Sequence, residues 1–135
     1  MLTALEHPLY TPGDVWRYQT RPGNEDSCLT ILRVESSRHG VIVHIRISGL
    51  GIQHPAREGS IVDEIGHVPI TEAALHQSVT ECVGFGDLDD SFEEGYRHWR
   101  AGYEQGQAGA FSLTVAEVVR YCIEMLKAPP VRASS

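Results

Sequence analysis

The stretch Val41–Leu50, VIVHIRISGL, decides the fold. Val41, Val43, Ile45 and Ile47 alternate with Ile42, His44, Arg46 and Ser48. A period of two sends the two sets to opposite faces of a strand. The first set is expected in the core and the second on a partly wet face.

Working back from this strand, GDVWRYQT also alternates, with Trp16, Tyr18 and Thr20 against Val15, Arg17 and Gln19. The segment RPGNED then supplies turn chemistry: Pro22 presets φ, Gly23 tolerates positive φ and Asn24 bonds its own backbone. SCLTILRVE is rich in β-branched residues and reads as a second strand, and RHG turns the chain into VIVHIRISGL. A fourth strand is expected between Gly59 and Ile70.

Working forward, the pattern changes to helical. Thr71 is an expected N-cap, and Leu75, Val79, Cys82 and Val83 form one apolar stripe of a helix running to Gly84. A second helix is expected from Asp90 or Ser91, where Ser91 and Glu94 have capping-box spacing. Its aromatic stripe is Phe92, Tyr96, Trp99 and Tyr103, and the glycines beside it predict close backbone approach or a break near Gly106. AFSL reads as an extended link or an edge strand. A third helix follows the Thr114–Glu117 box, with Val115, Val118, Val119, Cys122 and Leu126 facing inward.

Strands followed by helices, without alternation, give an α+β fold. The expected sheet is a small, twisted antiparallel meander over about residues 12–70, with an SH3-like half barrel as one form of it. Two or three helices pack on it. The 135 residues fit one domain, placed at 8–127, with tails at 1–7 and 128–135.

Charge narrows the function classes. Eleven Lys and Arg face 18 Asp and Glu, a net charge of −7. Affinity for nucleic acid comes mainly from basic side chains on phosphates, so no nucleic acid is expected. An acidic surface suits a basic protein partner. No apolar run reaches a membrane span, and MLTALEHPLY has neither the basic nor the apolar region of a signal peptide. Cys28, Cys82 and Cys122 form neither a disulfide framework nor a C-x-x-C pair. A reduced, cytoplasmic protein is the expectation.

The motifs for chemistry are sparse. Asp87, Asp89 and Asp90 lack the glycine and glutamate spacing of a calcium loop. Gly84-Phe85-Gly86 lacks the third glycine of a phosphate fingerprint. The histidines show no H-E-x-x-H or H-x-H spacing, so no metal and no cofactor are expected. His44 and His67 would meet if the third and fourth strands pair. The candidate binding surface is Trp16, Tyr18, His44 and Arg46, with His67 nearby, a set suited to an anionic or planar ligand. The plainer reading makes these residues the rim of the core, with Arg46 paired to Glu35 or Asp63.

GDVWRYQTRPGNEDSCLTIL, VHIRISGL, HVPITEAAL and GYRHWRAGYEQGQAGAFSL together resemble a family of short bacterial proteins to which no activity is attached. The resemblance spans Tyr10 to about Leu126 and implies only a compact single domain. No functional residue is carried over from it. Three functions remain. The leading one is a non-catalytic protein-interaction module, such as an inhibitor or immunity protein for a basic partner. The second is a small-ligand binder at the His/Arg/aromatic surface. The third is a hydrolase with His44 or His67 as general base.

Overall fold

The computed structural model describes residues 2–127. The segment 128–135, expected as a tail, lies outside the described residues. The order of elements is β1 (Thr3–Ala4), β2 (Asp14–Tyr18), β3 (Cys28–Ser37), β4 (Gly40–Ser48), β5 (Ile52–Gln53), β6 (Ile61–Val62), β7 (Ile65–Thr71), α1 (Glu72–Ser78), β8 (Val79–Phe85), α2 (Glu93–Glu104) and α3 (Val115–Lys127).

The main sheet runs β7-β4-β3-β2-β8, with β1 also pairing on β3. All of these pairs are antiparallel. The fold is α+β. The sheet is open: β7 and β8 stand at its opposite edges and do not meet. β5 and β6 form a separate two-stranded ribbon.

β4 holds the centre, as its sequence requires. Val43, Ile45 and Ile47 are fully buried with Leu29 and Ile31 of β3, and α1 and α3 cover them through Leu75, Val115 and Val118. The opposite face departs from expectation. Ile42 and His44 are buried there, because α2 lies across them and brings Tyr96 and Trp99 into contact. Leu2 joins that second small core. Residues 1–7 were expected to be a tail. Instead Thr3 and Ala4 pair with Ser36 and Glu35, and burial of Leu2 anchors them.

Two local features position the site. The first is a register shift in β3 between Ile31 and Arg33. Leu29 and Ile31 face the α1/α3 core, and simple alternation would send Arg33 and Glu35 the same way. The bulge resets the parity, so Val34 enters that core. Glu35 joins His44 on the α2 side, 2.7 Å away. Bulges of this kind re-aim side chains.

The second feature corrects the helix expected to reach Gly84. α1 stops at Ser78, and residues 79–85 pair with β2 as β8. Leu75, Val79, Cys82 and Val83 fit a helical stripe, but Val79, Thr80, Val83 and Phe85 also suit a strand. The buried Ser78 fixes the junction. Its hydroxyl donates to the Ala74 carbonyl and accepts the Val115 N–H, while its carbonyl accepts the Gln19 N–H. Cys82, expected in the core, is exposed on β8.

The remaining caps divide. Thr71 accepts the Ala74 N–H, and Thr114 and Glu117 form the reciprocal box before α3. Ser91 does not cap α2: its hydroxyl donates to Asp89 and accepts from Arg46. α2 ends before Gly106, whose φ of +75° suits glycine.

A sealed carboxylate–imidazole chain and two concavities

The centre of the α2 face is a chain of polar side chains in a dry setting. Glu35 from β3 and His44 from β4 are both fully buried. His44 Nε2 lies 2.7 Å from Glu35 Oε1, and His44 Nδ1 lies 2.8 Å from Nε2 of His67 on β7. The two imidazoles stack at 5.0 Å with 13° between their planes. The Tyr96 hydroxyl donates to Glu35 Oε2 at 2.6 Å. Arg33 Nε lies 3.1 Å from that same oxygen, misaligned for a hydrogen bond, so the contact is an ion pair. The guanidinium also sits 5.0 Å over the Tyr96 ring.

The chemistry fixes the protons. An ionised carboxylate only accepts, so His44 donates from Nε2. Neutral His44 then accepts at Nδ1, and His67 donates from Nε2. The lone pair of His67 Nδ1 is left at the open end of the chain, where the ring is half-buried. Burial pushes the Glu35 carboxyl up, but the bonds from His44 and Tyr96 and the nearby Arg33 overcome it and hold its pKa at about 2. Burial also lowers both histidines, His67 to about 4, with His44 adding to the effect on His67. Burial and the bond to Glu35 raise the Tyr96 phenol. One cation, one anion and two neutral rings result, with the anion buried and the Arg33 side chain 35% exposed at the rim, which lightens the cost of burying the pair.

The expected surface of Trp16, Tyr18, His44 and Arg46 is split by the sheet. Trp16 and Tyr18 pack into the α1/α3 core, Tyr18 donating to or accepting from Ser27 at 2.7 Å. His44 faces α2, beneath Trp99. Arg46 lies farther along that face, bonded to Ser91 at 2.8 Å and paired with Asp89 at 3.4 Å, not with Glu35 or Asp63. His44 and His67 do meet, because β4 and β7 pair with His44 opposite Pro69. Sequence reasoning missed Glu35, Tyr96 and Arg33 as their partners.

A second cluster joins the N-terminal segment to α1. His7 Nε2 bonds Glu72, and the Tyr10 hydroxyl lies 2.7 Å from His76 Nδ1. Ligand atoms of His7, Glu72 and His76 lie within 4.8 Å of one another, the spacing of a metal site. The donor set argues otherwise. The Leu9 and Tyr10 N–H groups donate to His7 Nδ1, which places the ring proton on Nε2. A metal-bound histidine instead donates from its second nitrogen. The cluster is a hydrogen-bonded clasp. Burial and the Glu72 charge push the Tyr10 phenol up to about 12, so it stays a neutral partner of His76.

Two concavities open elsewhere. One, of about 780 Å³, lies between the β3–β4 turn, the start of α1 and the end of α2. The other, of about 480 Å³, runs along residues 4–12. Neither is lined by His44 or His67.

These features define an α+β domain whose polar chain is buried at Glu35 and His44 and half-buried at His67. No family model, no curated protein and no solved structure matches the chain.

Proposed function

We propose that the chain is a non-catalytic protein-interaction module that takes an extended, basic segment of a partner along the outer edge of β8. The observation behind this reading is the character of that edge. β8 is the last strand of the sheet and pairs only with β2 among the described residues. Its seven residues are mostly exposed, and Phe85 is 86% exposed. Strand addition uses such free backbone groups for affinity and side chains for specificity.

Charge selects the occupant. No Lys or Arg occurs between Arg57 and Arg97, whereas ten acidic residues lie from Glu58 to Glu94. Glu81 stands on β8, and Asp87, Asp89 and Asp90 follow it. Two copies meeting edge to edge would oppose like charges, and two register shifts against β2 disturb the edge further. A basic strand meets neither objection. An inhibitor or immunity role toward a basic protein is the concrete form of this reading.

The test is affinity capture from a lysate, followed by hydrogen exchange on the complex. Capture should weaken as salt rises from about 50 to 500 mM, as screening shortens the reach of exposed charges. Glu81→Lys and Phe85→Ser should each abolish it, and the partner should protect the β8 amides. Capture indifferent to salt and to both substitutions would sink the proposal.

A further inference from the structure

The larger concavity gathers polar groups that the fold leaves unsatisfied. Tyr103, on α2, stacks on Trp99 at 5.1 Å and forms part of the wall. Its hydroxyl is buried with no hydrogen-bond partner. A buried donor left unpaired costs free energy, and a ligand acceptor recovers it once a small turn of the Tyr103 ring brings the hydroxyl to the cavity it lines.

The charged groups are distributed by wall. Arg38 and His39 form the β3–β4 turn on one side, and their side chains make no hydrogen bond or ion pair among the described residues. Glu72, at the start of α1, uses Oε2 toward His7 and leaves Oε1 without a hydrogen bond among the described residues. Glu104, at the end of α2, pairs only loosely with Arg100, at 3.6 Å. The wall between combines Val41, Ile42 and Thr71 with a run of glycine and alanine at 106 and 108–110, where a ligand can approach the backbone closely. The volume of about 780 Å³ lies within the usual range of ligand sites.

From this arrangement we infer a binding site for a short zwitterionic peptide or amino acid. Its carboxylate faces Arg38 and His39, its ammonium faces Glu72 and Glu104, and a carbonyl accepts from Tyr103. The site is separate from the β8 edge, so either assignment can fail without the other.

Trialanine with free termini is the probe, read by calorimetry and thermal shift. It should bind and raise Tm, while N-acetyl-trialanine and trialanine amide should each bind about ten-fold more weakly or worse. Tyr103→Phe should weaken trialanine by about three- to ten-fold. Arg38→Ala, at an exposed turn, serves if Tyr103→Phe folds poorly, and should weaken trialanine while leaving the amide unchanged. Free alanine matching trialanine would assign the site to amino acids; weaker binding of alanine would assign it to peptides. No binding of trialanine or alanine at 10 mM, on the order of a very weak ligand, overturns the inference. So does equal binding of the blocked and free forms.

Discussion

His44 Nδ1 lies 2.8 Å from His67 Nε2, and the two rings stack across the β4–β7 pair. His44 is held on its other side by Glu35, so one buried carboxylate sets the tautomer of both rings. This chain fastens α2 to the sheet, because Tyr96 bonds the same carboxylate and Trp99 packs on His44. The apolar part of that contact has four buried members, Leu2, Ile42, Tyr96 and Trp99, with Phe92, Tyr103, Ala108 and Ala110 packed against them. Polar pairing at Glu35 and His44 therefore adds to this apolar contact in docking α2.

His44→Ala should destabilise the protein by about 2–5 kcal/mol, because it removes one bond to the buried Glu35 carboxylate, leaves the His67 N–H without its acceptor and opens a cavity, although Tyr96 and Arg33 still hold Glu35. Tyr96→Phe should cost less, about 1.5–3 kcal/mol, the range for a hydrogen bond to a charged group. Urea unfolding gives both values. The double variant should fall short of the sum by about 0.5 kcal/mol or more, since both side chains serve Glu35. Strict additivity would show that the chain does not act as a unit.

Acid should loosen α2 in two stages. His67 has a folded pKa of about 4, below the ordinary value of 6.5, so the unfolded chain binds the proton more readily. Its contribution is intact above about pH 6.5 and is lost as pH falls toward 4. The lowered His44 acts in the same direction. Glu35, held at about 2, adds a contribution that is intact above its usual value near 4.5 and is lost as pH falls toward 2. Trp99 fluorescence should follow both stages, and His67→Gln should flatten the upper one. A wild-type stability curve that is level from pH 7 to 4 would contradict the assignment of neutral rings.

Several of these relationships were open to sequence reasoning, and the reason others were not is specific. The alternation in Val41–Ile47 identifies the core face of β4, because α1 and α3 cover it with residues of matching pattern. The other face reads as wet, because His44 and Arg46 are polar and their cover, α2, lies some fifty residues away. The meeting of His44 and His67 follows from pairing neighbouring strands. Glu35 does not, since a bulge reverses the parity of β3 without any glycine or proline to announce it. The end of α1 was equally hidden: Leu75 to Val83 satisfies both periods, and tertiary bonds to Ser78 decide between them. Nothing in MLTALEHPLY signals that His7 will reach Glu72.

Phe85→Ser tests whether the free edge is there for folding or for a partner. At 86% exposure the side chain contributes little to the fold, so stability should change by less than about 0.5 kcal/mol. A large loss would mean that Phe85 packs against something in the free protein, and the edge would no longer be available to a partner strand. Thermal unfolding of the purified variant decides this.

Gly13→Ala tests the link between the β2 edge and the loop that follows β8. Gly13 has φ of +99°, which an alanine adopts only with strain. An added Cβ would stand 2.5 Å from the Gly86 carbonyl oxygen, a backbone atom that cannot turn away. The same approach lets the Gly86 N–H donate to the Gly13 carbonyl at 2.9 Å. Alanine therefore strains φ and forces the two backbones apart at once. The cost should exceed the 1 kcal/mol or so of an incompatible glycine replacement alone, and hydrogen exchange at Gly86 should accelerate with it. Because Asp14 pairs with Phe85 next to this contact, the outer edge of β8 should loosen as well. A melting temperature equal to that of the wild type would mean that the loop yields freely and does not hold the edge in place.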